Sequence, residues 1–161
     1  MTLSNNQKRK MKSAARFYAV QALFQMEASG QSADAVEREF VDHRFGATYD
    51  EGEMQEGDAD LFRSLVDLAV NEQAKIDQMT DRALVAKWPI ARIDPTLRAL
   101  FRAAGAEMIE AATPAKVVIV EFMDVATAFS GDTKEARFVN AVLDHMAREA
   151  QPEAFQKNAG T

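Results

Sequence analysis

The chain contains no cysteine, and that one absence removes disulfides, cysteine–zinc sites, thiolate nucleophiles and iron–sulfur clusters together. Four prolines and seven glycines in 161 residues are too few for a collagen-like, low-complexity or wholly disordered chain. There is no run of about 18 apolar residues to span a bilayer. The basic N-terminus is followed by no apolar core, so no secretory signal is readable. Glycine-rich phosphate loops, dinucleotide fingerprints, H-E-x-x-H and nucleophile-elbow serines are also missing. The two histidines, His43 and His145, each have one carboxylate at i,i+4 spacing, Glu39 and Glu149. One such pair is too few for a metal site. The expectation is a protein with no cofactor, no metal and no catalytic role.

What is present is the composition of an ordinary domain, 47% apolar and 27% charged. The length suits one domain that buries a core without staples. We therefore expect a soluble, cytoplasmic, single-domain protein. The net charge of −6 is unevenly spread. Residues 1–16 hold Lys8, Arg9, Lys10, Lys12 and Arg16 and no acid, while the remaining 145 residues sum to −11. A short positive arm on an acidic body can present a local anion-binding surface; it can also be a solvated, frayed terminus.

The apolar periodicity is helical almost throughout. Phe17, Val20, Leu23, Phe24 and Ala28 recur at three and four, ahead of a stopping Gly30. A short helix is expected over Ala33 to Phe45, with Val36, Phe40 and Val41 inward. Residues 46–57 carry three glycines, four acids and no base, and read as a mobile acidic surface loop. Asp58 or Asp60 can cap a helix bearing Leu61, Phe62, Leu65, Val66, Ala69, Ile76 and Met79. A weak boundary is expected near Lys87-Trp88-Pro89.

Asp94-Pro95 is an N-cap followed by proline at N1, leading into Leu97, Leu100, Phe101, Ala104 and Met108. Thr113-Pro114 repeats that start signal, and Asp132 to Glu135 has capping-box spacing before Phe138, Val139, Val142, Leu143 and Met146. The β-branched Val117-Val118-Ile119-Val120 resembles a buried strand locally. Its apolar series continues at helical spacing through Phe122, Met123, Ala126 and Phe129, and no second strand offers itself as a partner, so it reads as helix. The predicted core contains Leu97, Leu100, Phe101, Val118, Phe122, Val142 and Leu143. The fold class is all-α, a compact bundle of about seven helices.

Glu107, Glu110, Glu121 and Asp124 lie on adjacent predicted helices, but ordinary surface charges, with Arg98 and Arg102 as partners, account for them more simply than paired-carboxylate catalysis. Lys12 and Arg16 share one side of the first helix, with Lys8, Arg9 and Lys10 just upstream. Lys134, Arg137 and Phe138 set two cations beside an aromatic at the start of the last helix. Cations for phosphates and a flat side chain for stacking are what single-stranded RNA needs. Phe138 also fits the core stripe, and on spacing alone core is the favoured reading, with base stacking as the alternative.

Four segments together resemble a known family: RFYAVQALF from Arg16, LRALFRAAGAE from Leu97, PAKVVIVE from Pro114 and FVNAVLD from Phe138. In this order they are similar to the bacterial transcription antitermination factor family NusB, over about residues 12 to 148. The resemblance implies two three-helix halves. It also implies binding of single-stranded boxA-like RNA together with the ribosomal protein NusE. Other Nus factors and RNA polymerase would be engaged indirectly, with passage through terminators, notably in ribosomal RNA operons, as the outcome.

By position, the family's basic motif falls on Lys8, Arg9, Lys10, Lys12 and Arg16, and its second RNA-facing patch near Lys134, Arg137 and Phe138. Its partner-facing aromatic falls on Phe24, where many relatives have tyrosine. The arm departs from a dense arginine run, being lysine-rich and broken by Met11 and Ser13-Ala14-Ala15. The implied organisation is a flexible basic arm over residues 1–12, one all-α domain over 13–150 and a flexible tail over 151–161. Alternatives are an RNA-binding module in ribosomal RNA processing or modification, and a helical interaction module without RNA.

Overall fold

The structure, a computed structural model, describes residues 3–45, 48–49, 52–53, 57–84, 93–130 and 135–156. Seven α-helices are present among them: α1 (Asn5–Ser29), α2 (Ala33–Glu39), α3 (Ala59–Asn71), α4 (Gln73–Ala83), α5 (Pro95–Glu110), α6 (Ala115–Ser130) and α7 (Ala136–Ala150). Two short strands, β1 (Thr48–Tyr49) and β2 (Gly52–Glu53), pair antiparallel. None of the described helices is long and apolar enough to cross a membrane.

Helix ends follow local chemistry. Ser4 accepts from the Gln7 amide while the Gln7 side chain accepts from the Ser4 amide, a complete capping box. Gly30, at φ 76°, closes α1 in the left-handed conformation that costs glycine nothing. Asp58 accepts from the Leu61 amide and Asp94 from that of Thr96, with Pro95 at N1 of α5. At the far end of α5, Ala111 takes φ 64°, a left-handed cap without glycine.

α5 is the axis of the fold. It packs against α1, α3, α4, α6 and α7. Its buried positions are mostly small, Ala99, Ala103, Ala104, Gly105 and Ala106, with Leu100, Phe101 and Met108 filling the gaps. At Gly105 a Cβ would stand 2.5 Å from Ile76 Cγ2 and 3.3 Å from Met146 Cε, so glycine is what lets α4 and α7 close onto α5. α1, α2 and α3 pack on one another, as do α5, α6 and α7, giving the two expected three-helix halves. α4 lies against α3, α5 and α7. Leu100, Phe101, Val118, Phe122, Val142 and Leu143 are buried as expected, whereas Leu97 is only half-buried.

Several expectations need correction. Residues 5–12 are not an arm ahead of the first helix but its first two turns. The helix expected from Asp58 to Met79 is two helices, broken where Glu72 leaves helical geometry at φ −110°, ψ 21°. The second short helix ends at Glu39 and continues as a π-helical turn, Phe40–Arg44. Pro114 is not the first residue of α6: its carbonyl accepts from the Val118 amide, placing it one residue before the helix. α7 starts after Glu135, which makes no side-chain cap; the rest of the expected capping box, residues 132–134, lies outside the described residues, as does Lys87-Trp88-Pro89. Of the acidic segment 46–57, Thr48–Tyr49, Gly52–Glu53 and Gly57 are described. Gly57 is buried, and a Cβ there would stand 2.9 Å from the Phe45 ring.

The expected tail is in part docked. Pro152–Phe155 forms a 3-10 turn, with the Phe155 ring near Lys116 and Arg148. The Gln151 amide nitrogen donates to the carbonyls of Met108 and Thr113, and its oxygen accepts from the Ala115 amide. One side chain thus ties the chain to the end of α5 and the start of α6.

Candidate nucleic-acid interface

The capped start of α1 carries Lys8, Arg9, Lys10 and Lys12, all exposed, with no acid in its first turn. Helical spacing holds these cations on a rigid element, and the exposed amides of a helix N-terminus add positive potential. Asp58 at the head of α3 donates its backbone N–H to the Met11 carbonyl at 3.0 Å, which fixes this stretch of α1 to the body.

Arg16 belongs to a different structure. It is 4% exposed, and its Nε and Nη2 donate to the two oxygens of Glu107, each at 2.8 Å. Glu107 is 2% exposed, and Glu121 stands 3.4 Å from Arg16 Nη1. Burial by itself works to lower the Arg16 pKa, but the hydrogen bond and charge of Glu107, with Glu121 behind it, more than offset this and raise it. Arg16 is therefore a buried ion-pair residue joining α1 to α5 and α6, unavailable to a phosphate in this arrangement. Its partner is one of the carboxylates expected on the surface. Arg98 and Arg102 pair instead with Glu27 and, for Arg102, with Asp77. The hydrogen bond from Arg98 is the main cause that holds Glu27 below the usual carboxylate range, against the opposing effect of its partial burial.

The second expected patch sits elsewhere. Phe138 is 38% exposed and meets Phe101 edge-on at 6.4 Å, and Arg137 is exposed beside it. Lys134 lies outside the described residues. The pairs Arg16–Glu107 and Glu27–Arg98 show that α1 runs antiparallel to α5. Lys8 to Lys12 therefore extend beyond the end of α5 opposite to Phe101 and Phe138. At 1.5 Å per residue the two patches are about 15–20 Å apart along that axis. They do not adjoin.

Phe24 is 42% exposed on α1. It borders a groove of about 510 Å³ whose other walls include Val20, Phe40, Arg44, Thr96 and Phe129. An exposed aromatic beside an apolar groove suits a protein partner. Sequence reasoning missed Arg44, Thr96 and Phe129 as neighbours of Phe24, because they come from three other segments of the chain.

Residues 13–148 match the NusB family. The chain belongs to the NusB family. The transcription antitermination protein NusB of Maricaulis maris is 46% identical over 147 residues, covering 91% of this chain and 91% of that protein. That of Granulibacter bethesdensis is 40% identical over 156 residues, covering 93% and 95%. Among solved structures, T. maritima NusB superposes with a TM-score of 0.71 at 25% identity, covering 96% of this chain and 99% of that one. A crystal structure of antitermination factors NusB and NusE in complex with dsRNA gives 0.68 at 22% identity, covering 85% and 96%, a likeness of fold alone.

The remaining charged candidates make local contacts within the fold. Glu110 accepts from Ser64, and Glu121 accepts from Ser13 at 2.9 Å. His43 and His145 are exposed, and their i,i+4 carboxylates are engaged by arginines, Glu39 by Arg44 and Glu149 by Arg82. No group of three metal-ligating side chains occurs among the described residues.

Proposed function

We propose that this chain is a transcription antitermination factor that binds single-stranded, boxA-like RNA together with the ribosomal protein NusE. Its role is to help RNA polymerase pass terminators, notably in ribosomal RNA operons. The observation that carries this is membership of the NusB family, with relatives named as antitermination proteins matched over nine-tenths of their own length. Those relatives carry a regulator's name over nearly their whole length, which favours this reading over a module attached to a ribosomal RNA modifying enzyme. The role is a binding one without catalysis, and its place is the cytoplasm, where nascent RNA is.

The proposed RNA contacts are Lys8, Arg9, Lys10 and Lys12 on α1, Arg137 and Phe138 at the start of α7, and Lys134, three positions before Arg137 in the sequence. Arg16 drops out of the set because it is buried. The rest of the chain is strongly acidic, which leaves RNA few other places to dock. NusE is proposed to seat on the groove beside Phe24. The test is a salt titration of boxA-like RNA binding, with and without NusE. Four phosphate contacts give a slope of log K against log salt of roughly −3, at about −0.7 per contact for single strands. Neutralising Lys8, Arg9, Lys10 and Lys12 together is expected to weaken all RNAs and flatten that slope. Unchanged affinity across the titration would show that these side chains are only a solvated helix end.

A further inference from the structure

A groove of about 410 Å³ runs between the start of α1 and the middle of α6, lined by Arg9, Lys10, Ala14 and Phe17 on one side and by Asp124 and Val125 among others on the opposite side. The two rims differ in chemistry. Arg9 and Lys10 are exposed cations with no ion pair among the described residues. Asp124 is an exposed carboxylate that likewise has no hydrogen bond or ion pair there, one helical turn beyond Glu121. Glu121 itself is held by Ser13 and Arg16, so Asp124 is the acceptor left to the groove. Between the rims lie apolar walls. Phe17 is stacked on Phe129, centroids 4.7 Å apart and planes within 8°, and its remaining exposed surface borders the groove.

A bare acidic rim would repel RNA, so this arrangement needs an account. A nucleotide is the ligand with both halves of the required complement: an anionic phosphate for Arg9 and Lys10, and a flat base with hydrogen-bond donors. An ionised carboxylate only accepts, so it selects a base edge rich in N–H donors. Adenine and cytosine present exocyclic amino groups, and carboxylates are established acceptors for the cytosine amine. Uracil presents two carbonyl oxygens flanking one N–H, which a carboxylate opposes.

We propose that the groove between α1 and α6 holds one unstacked nucleobase bearing an exocyclic amino group, with Asp124 accepting its N–H and Arg9 and Lys10 holding its phosphate. This rests on the RNA-binding reading above and adds a source of base choice to it, since phosphate contacts alone carry none. Asp124 is then a specificity residue at a subsite distinct from Phe138.

The test is fluorescence-anisotropy titration of the full chain, in the presence of NusE, with hexamers of rA, rC and rU at one fixed salt concentration. The wild type is expected to favour rA and rC over rU by roughly ten- to a hundredfold, the scale of one hydrogen bond to a charged group. Asp124→Ala is expected to abolish most of that preference by weakening rA and rC while leaving rU unchanged or tighter. Asp124→Asn adds a donor for uracil carbonyls and is expected to raise rU binding most. Uniform tightening of all three RNAs by Asp124→Ala would overturn the proposal and make Asp124 a merely repulsive surface charge. No preference in the wild type would overturn it equally. Binding of none of the three hexamers, with or without NusE, would instead defeat the RNA-binding reading on which it stands.

Discussion

Replacing Arg16 by alanine separates a buried structural role from an RNA contact. The substitution removes both 2.8 Å hydrogen bonds to Glu107 and strands a carboxylate that is 2% exposed in the centre of the fold. Breaking a buried pair from one side costs about 3–5 kcal/mol, because the surviving charge keeps its desolvation penalty without compensation. Against a total stability on the order of 5–15 kcal/mol, the variant is expected to lose between about a fifth and all of its folding free energy. Urea denaturation followed by far-UV circular dichroism measures the loss directly. Arg16→Met combined with Glu107→Leu removes both charges and keeps the volume, and is expected to recover most of the stability. If Arg16 were instead an exposed phosphate contact, its loss would stay within about 0.5 kcal/mol of wild type. It would also reduce the salt slope of RNA binding by about 0.7. That pair of results would refute the buried assignment.

Three further outcomes are expected. Gly105→Ala pushes a methyl group against Ile76, a stiff β-branched side chain. Overpacking of about 1–3 kcal/mol outweighs the roughly 1 kcal/mol gained in helix propensity, so urea midpoints are expected to fall; a rise would show that Ile76 yields. Glu37 on α2 is buried with one oxygen unpartnered, and burial, then Asp67 on α3, push its carboxyl up to about 8. The folded protein keeps a proton there that the unfolded chain releases near pH 4.5, so stability is expected to fall as pH rises from about 4.5 to 8. Glu37→Gln is expected to remove that decline and stabilise by about 1–3 kcal/mol at pH 8; an unchanged pH profile would count against the buried neutral carboxyl. Phe24→Asp is expected to weaken NusE binding by at least tenfold with the fold intact, consistent with an interface aromatic; unfolding would reassign Phe24 to the core.

Local signals in the sequence were enough for most of the helices and several of their ends. Gly30, Asp58 and Asp94-Pro95 act through bonds within one turn, and Val117 to Val120 is helical because its apolar series continues at helical spacing. The family resemblance rested on segments spread along the whole chain, so family membership over residues 13–148 was also legible there. What only the tertiary structure decided depends on residues far apart in the chain. Arg16 looks like one more cation in a basic run, and only Glu107, 91 positions away, makes it a core residue. Gly105 looks isolated until α4 and α7 close on it. Phe24 and Phe138 fit helical core stripes, yet both remain substantially exposed. Periodicity records which face of a helix is apolar, but how much of that face a neighbouring helix covers is set by packing.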